Sequence, residues 1–296
     1  MPNAASPSNR TCWRRVPDNS TGTWSVFTAL SGAVGNFPQP IHDDRKEDSL
    51  NRAGVGCTSR FHLLLTCEHA GNRIPDAYAA RFKGAGRILQ SHQGWDPGAL
   101  NLTRYLSKRL AVPYASVPWS RLLVEANRSQ SNPRIWSRYT ASLSTEEKNR
   151  ILATYWWPHR REVEVAVGEA VARGELVLHI AVHSFTPVWH GEVRTADLGL
   201  LYDPARPGER AFGVQWQACL GRIAPDLRVR RNYPYRGAAD GLTTWLRRRF
   251  PEDQYLGFEL EVNQGLMETS GWRLARRAIA SSLHTMMDPN GMLPTG

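Results

Sequence analysis

Phe61-His-Leu-Leu-Leu-Thr-Cys67, followed at once by Glu68-His69-Ala70-Gly71-Asn72, sets the reading of this chain. A short continuous apolar run that ends in a polar, glycine-containing loop reads as a buried strand, of the kind a parallel sheet covers on both faces. The texture repeats downstream. After Asp96-Pro97-Gly98, residues Leu102, Tyr105, Leu106 and Leu110 fall at i, i+3, i+4 and i+8, one face of a helix. Pro113 to Trp119 reads as a second strand. Ser144-Thr145-Glu146-Glu147 carries a capping-box signature. It opens a long helix that Pro158 kinks or splits and that stops near Gly174. Leu176 to Val182 reads as a strand ending at His183-Ser184, with further strands at Leu198 to Tyr202 and Tyr255 to Val262. Helical patterns cover Arg210 to Ile223, Asp240 to Phe250 and Trp272 to Met287. Strands alternating with helices predict a three-layer α/β/α domain around a mostly parallel, mixed sheet.

Composition narrows the class. The chain has 296 residues, 41% of them hydrophobic and 11 of them Trp, enough to bury a sizeable core, which excludes wholesale disorder. Thirty-seven Lys and Arg against 27 Asp and Glu give a net charge of +10. Such a balance raises nucleic acid, an anionic surface or a small acidic substrate as partner. The basic residues are scattered and no known binding module is visible, which weighs against nucleic acid. The four cysteines, Cys12, Cys57, Cys67 and Cys219, form no CxxC pair, so neither a disulfide framework nor a cysteine zinc cluster is expected, and a reducing cytoplasm is the default compartment. No run of 18 apolar residues predicts a membrane span. Residues 1–60 are rich in Asn, Ser, Pro, Thr and Gly without helical or strand periodicity. They read as a poorly ordered extension ahead of a domain over 61–290.

Ligands of open α/β sheets bind beyond the carboxyl ends of the strands, so the polar residues there carry the chemistry. Glu68 and His69 follow the first run, and His183 and Ser184 follow Val182. Glu259 and Glu261 lie on the last strand, on one face by their spacing of two. Asp96 sits at a helix start. Two histidines and several carboxylates at one sheet end are the parts of a catalytic zinc site, which needs three nitrogen or oxygen ligands and an open position. It also needs a carboxylate to take a proton from water. The histidines lie more than a hundred residues apart, and a lone histidine at a strand end is more often structural than a ligand.

The motifs together resemble the N-formylglutamate amidohydrolase family. Cys67-Glu-His-Ala-Gly-Asn-Arg-Ile-Pro75 is similar to its histidine loop, and His92-Gln-Gly-Trp-Asp-Pro-Gly-Ala99 to its tryptophan–aspartate segment. Ser120-Arg-Leu-Leu-Val-Glu-Ala-Asn-Arg128 is similar to its arginine-bearing segment. His183-Ser-Phe-Thr-Pro187 with Trp189-His-Gly191 resembles its second histidine motif, and Phe258-Glu-Leu-Glu-Val-Asn-Gln264 its closing glutamate strand. The five motifs occur in family order over about residues 61 to 268. The loop Glu68-His69-Ala70 belongs to a divergent branch, and Asn263 stands where many relatives of that branch carry Arg.

The resemblance implies a zinc hydrolase with the fold of the zinc carboxypeptidases, acting on an amide such as that of N-formyl-L-glutamate in histidine breakdown. On it, His69, Asp96 and His183 are the expected metal ligands, with Glu68 as the alternative to Asp96. Glu261 is the expected general base, with Glu259 as its alternative on the same face. A doubly carboxylated substrate calls for fixed positive charge. Arg128 is therefore an expected catalytic or substrate-binding residue, and Arg121, Asn127, Glu259 and Ser184 are further expected substrate contacts. An ordinary ion pair, with Glu125 for instance, is the competing reading of either arginine. Arg236 reads equally as a site residue or part of a turn, and His190 as a site residue or a loop cap. His179 reads as a packed core histidine, Trp156-Trp157 as core, and Arg247-Arg248-Arg249 as a solvated helix face.

Overall fold

A computed structural model describes residues 61–287. The readings of residues 1–60 and of 288–290 lie outside the described residues. Eight strands and seven α-helices follow in the order β1 (Phe61–Cys67), α1 (Gly86–Gln90), α2 (Ala99–Leu110), β2 (Tyr114–Ser116), α3 (Thr145–Ile151), α4 (Trp157–Ala172), β3 (Leu176–Phe185), β4 (Val188–Trp189), β5 (Glu192–Val193), β6 (Leu198–Leu201), α5 (Pro207–Ile223), β7 (Val229–Arg231), α6 (Leu242–Arg247), β8 (Tyr255–Asn263) and α7 (Ser270–Met287). Six strands form one sheet in the order β2-β1-β3-β8-β6-β7. β2, β1, β3 and β8 run parallel, and β6 meets β8 antiparallel with β7 parallel to β6, so the sheet is mixed and mostly parallel.

The period of two in the strands divides the sheet into two unlike faces. Leu63, Leu65 and Cys67 of β1, Leu178, Ile180 and Val182 of β3, and Leu256, Phe258, Leu260 and Val262 of β8 pack under α2, α5 and α7 in the main core. The alternate residues Leu64, Val177 and Tyr255 meet Val163, Val167 and Ala170 of α4 and Leu242 and Leu246 of α6. Helices thus cover both faces, giving the three layers expected. A third apolar cluster, with Tyr78, Phe82, Leu123, Val124, Ile135 and Trp156, lies beneath the segment carrying Arg121 to Arg128.

Several boundaries differ from the sequence reading. Ser144 accepts from the Glu147 amide at 3.2 Å, as the capping signature predicted. The helix it starts is split by a π-turn over Leu152–Trp156. Pro158 sits in the first turn of α4, where its missing N–H costs nothing. β2 is shorter than Pro113 to Trp119. β3 does not end before His183. It runs on to Phe185 because His183, Ser184 and Phe185 keep pairing with Glu261, Val262 and Asn263 of β8.

Arg247 corrects the solvated reading of its triplet. Its guanidinium is buried on fully buried Glu209, at 2.9 and 3.1 Å. It also donates to the Gly237 and Gly257 carbonyls. Arg249 stacks on Trp245 and pairs with Glu164. His179 is a core histidine, as expected. Thr66 Oγ1 lies 2.8 Å from Nε2 and Tyr255 Oη 2.7 Å from Nδ1, so both ring nitrogens have partners. Trp156 is core as expected, and its indole N–H donates to the Arg128 carbonyl. Cys67 and Cys219 are buried free thiols. Among the described residues no helix is long and apolar enough to cross a membrane.

Candidate active site

The parallel strands β1, β3 and β8 bring their carboxyl ends together, and side-chain alternation decides what gathers there. Thr66 of β1, His179 and His183 of β3, and Glu259 and Glu261 of β8 share the face covered by α4 and α6. His69 lies just past β1, and Asp96 in the turn before α2. The Asp96 amide donates to the His69 carbonyl at 3.0 Å, which ties the two loops together.

His69 Nδ1, Asp96 Oδ2 and His183 Nδ1 converge in a triangle. Its edges are 3.2 Å (His69–Asp96), 3.1 Å (His69–His183) and 2.9 Å (His183–Asp96). Those separations are close to what three donor atoms adopt when each bonds one ion at about 2.0–2.2 Å. All three residues are buried, and among the described residues they form a group able to hold a metal ion.

The far nitrogens explain why. His69 Nε2 makes a short contact to Glu125 Oε1, and His183 Nε2 lies 3.1 Å from Glu68 Oε2. A carboxylate can only accept from a neutral ring, so each Nε2 carries the proton and each Nδ1 is left as a lone pair. Two such nitrogens and a carboxylate oxygen aimed at one point repel one another unless a cation joins them. The donor set therefore fits a metal, and the carboxylates behind the histidines are the outer support such sites use. Without an ion, protons take that place. Against the lowering effect of burial, Asp96 and Glu68 hold His183 well above its ordinary range. Against the raising effect of burial, the charge of His69 leads the interactions that keep the Asp96 carboxyl low.

Glu68 is thus not in the triangle. It is fully buried behind His183, with its other oxygen 3.1 Å from His159 Nε2. Glu261, the register partner of His183, has a carboxylate oxygen buried without a hydrogen-bond partner. Burial pushes its carboxyl up to about 8. Glu259 accepts from Asn127 Nδ2 at 3.1 Å. Asn127 is locked further, accepting the Leu242 amide at 2.7 Å.

Arg121 bridges two anions of the site, donating to Glu125 Oε2 at 2.7 Å and Asp96 Oδ1 at 3.1 Å. Both readings of Arg128 and Arg121 carried an ion pair as competitor, and for Arg121 the Glu125 pair is present. Arg128 donates to backbone carbonyls of Asn127 and Asp240. The Ser184 hydroxyl donates to the Pro97 carbonyl at 2.7 Å and accepts from Gln264 at 3.0 Å, so it ties β3 to the Asp96 turn.

A cavity of about 610 Å³ opens over these groups. His69, Asp96, Arg121, Asn127, Arg128, His183, Ser184, Glu259 and Glu261 all line it, as does Arg236 from its turn. His190 does not. With Gly191 it makes the tight turn between β4 and β5. Sequence reasoning passed over Glu125 as a site residue, although it lies in the quoted arginine segment. It also passed over His159, which no motif marks, and the aromatic lining Phe185, Trp189 and Tyr235.

A mixed α/β sheet with a buried His–Asp–His donor set able to hold a metal ion, and a flanking glutamate in a cavity at its strand ends, defines an α/β protein with a candidate metal site where ligands of such sheets bind. Comparison with known proteins makes this more particular. The chain belongs to the N-formylglutamate amidohydrolase family, whose profile matches residues 61–267, and is therefore a hydrolase acting on an amide. A gene product of Agrobacterium tumefaciens is 31% identical, with 76% of this chain and 88% of that one covered and a TM-score of 0.63. The N-formylglutamate amidohydrolase of Ralstonia eutropha JMP134 has the same fold, at 17% identity over 78% of this chain and 95% of that one, with a TM-score of 0.56. A search of curated proteins found no match.

Proposed function

We propose that the protein is a zinc-dependent amidohydrolase that cleaves the amide of an N-formyl or N-acyl acidic amino acid, N-formyl-L-glutamate being the simplest. The observation that supports this most is the convergence of His69 Nδ1, Asp96 Oδ2 and His183 Nδ1 beside the unpaired carboxylate of Glu261. Two imidazoles and a carboxylate suit zinc and leave room for a water. When bound, the ion would polarise the carbonyl and lower the pKa of water to about 7.

The chain's own residues do the rest. Glu261 has its carboxyl at about 8 in the metal-free site; a cation in the triangle would favour its ionised form, which accepts a proton as water oxygen adds to the carbonyl carbon. It then delivers that proton to the nitrogen as the C–N bond breaks, leaving a carboxylic acid and an amine, between which the second water proton passes to give a carboxylate and an ammonium group. Arg128 binds a substrate carboxylate, for which its planar guanidinium is matched in shape and charge, and Arg236 reinforces it from the facing turn. Arg121 acts one step back, orienting Asp96 and Glu125. Asn127 holds Glu259 and the amide of Leu242, which keeps the Arg128 loop in place. A small anionic acyl amino acid, rather than nucleic acid or a membrane, is the partner this reading implies, and the cytoplasm is its compartment.

The test is formate release from N-formyl-L-glutamate by metal-stripped and zinc-reconstituted protein, with metal analysis alongside. We expect about one zinc per chain, as a three-ligand catalytic site holds, and activity only in the reconstituted sample. Reconstituted protein that binds no zinc, or hydrolyses no N-acyl amino acid, overturns the reading.

A further inference from the structure

The cavity has two unlike arcs. Arg128 and Arg236 form a cationic one. The other is aromatic, built from Phe185, Trp189, Tyr235 and His92. Trp189 and Tyr235 are each 43% exposed, large rings left open to solvent at the mouth. They are nonetheless fixed. Trp189 sits on the β4–β5 hairpin, whose two turn residues, His190 and Gly191, take φ values of 50° and 85°, the tight turn that matches strand twist.

Arg194 follows the hairpin and is 9% exposed. Its guanidinium stands 5.1 Å from the Trp189 ring, 5.1 Å from Tyr235 and 5.8 Å from Phe185. It also donates to the Tyr235 hydroxyl at 3.1 Å. A buried cation thus gathers three rings from two loops and a strand end. His92 meets the edge of Trp189 at 5.9 Å. Pre-set aromatic surface with a polar rim, opening on a reaction centre, marks a binding groove for an apolar group. The volume agrees. Cavities of about 300–1,000 Å³ hold drug-sized ligands, and N-formyl-L-glutamate is smaller than those.

We infer that the preferred substrate carries an aromatic or other planar apolar group on one side of its scissile amide, seated against Trp189, Tyr235 and His92, with its carboxylate on the cationic arc. The inference rests on the amidohydrolase reading and deepens it. The ring has two possible sources, the acyl group or the amine portion. N-benzoyl-L-glutamate and N-formyl-L-phenylalanine represent them.

Calorimetry on zinc-loaded, full-length Glu261→Gln compares binding of these two compounds with N-formyl-L-glutamate. Turnover of the same three by the wild-type enzyme runs alongside. At least one aromatic compound should bind tenfold or more tightly than N-formyl-L-glutamate and turn over with the lower KM. Trp189→Ala should remove most of that difference, and Trp189→Phe should restore much of it. The subsite is overturned if N-formyl-L-glutamate binds as tightly as both aromatic compounds, or if Trp189→Ala weakens all three equally. Tight aromatic binding without hydrolysis of any amide leaves the subsite standing and removes the hydrolase reading. Turnover of N-formyl-L-glutamate without aromatic preference does the reverse.

Discussion

His183 and Glu261 are register partners on adjacent parallel strands, β3 and β8. A metal-ligand candidate and a base candidate are therefore spaced by backbone hydrogen bonds, not by a loop. The arrangement is rigid because both strands are central in the sheet and buried on both faces. The adjacent glycine on β6 shows how tight it is. A Cβ at Gly199 would lie 3.2 Å from Glu261 Cβ and 2.0 Å from the Tyr233 carbonyl oxygen.

Glu261→Gln keeps the shape of this pair and removes the base. Turnover should fall by about 10² to 10⁴, while zinc content and melting temperature stay close to wild type. Steady-state kinetics with metal analysis checks it, and activity within tenfold of wild type would remove Glu261 from the proton transfer.

The metal-free protein should lose stability as pH rises above 6.5. Burial lifts the Glu261 carboxyl from an ordinary 4.5 to about 8, so across that window the folded state holds a proton that the unfolded chain has released. Taken alone this makes stability fall with increasing pH; His179, which burial lowers from 6.5 to about 4, has the opposite slope below 6.5, so the net fall is expected above that pH. His183, held well above 6.5, adds the same sign in the upper part of the window. Asp96, Glu68 and Glu125 are held low, so their opposite slope acts only at more acid pH. Zinc displaces the site's protons, so its effect on the melting temperature should grow from the acid to the alkaline end of the window. Thermal melts with and without zinc across that range measure it, and a zinc shift that shrinks with pH would contradict it.

Glu125 and Glu68 stand behind the two histidines. Replacing either with Gln swaps an obligate acceptor for a group that can present a donor to the ring. Metal affinity should drop about 10- to 100-fold, read by competition with a chelating dye. Glu125→Gln should also release Arg121, which Asp96 alone would then hold. Unchanged affinity in both variants would show that the carboxylates do not orient the rings.

Tyr255→Phe tests the buried polar ladder beneath the site. It strips His179 Nδ1 of its 2.7 Å partner in a fully buried position. Leaving such a group unsatisfied costs about 1–3 kcal/mol, measurable by denaturant unfolding. Metal affinity should not change, because neither residue belongs to the donor triangle.

Much of the fold was legible from Phe61 onward because buried parallel strands are written as continuous apolar runs. Phe61–Cys67, Leu176–Phe185 and Tyr255–Asn263 announce themselves in this way. The strand at Tyr114–Ser116 was read too long, as Pro113 to Trp119, and the three-residue β7 and the β4–β5 hairpin carry too few residues for a period to show. Arg247 was misread for a related reason. Its run of three arginines is local information, whereas its partner Glu209 lies 38 residues away on α5.

By itself the sequence determined which residues have the right chemistry and on which side of each strand they fall, since alternation along a strand is a local rule. It placed Glu259 and Glu261 on one face and put His69, Asp96 and His183 at element ends. Tertiary structure alone decided between Asp96 and Glu68 in the triangle. Those two are separated by the direction a side chain takes from a loop, and only the packed neighbours set that direction. Glu68 turns inward to His159 on α4, while Asp96 is steered by Arg121 and by the hydrogen bond its backbone N–H donates to the His69 carbonyl. The same holds for the aromatic arc, where Arg194 joins Trp189 and Tyr235 across 46 residues of chain between the two rings. Contacts of that range depend on how the layers close over the sheet, which no local pattern encodes.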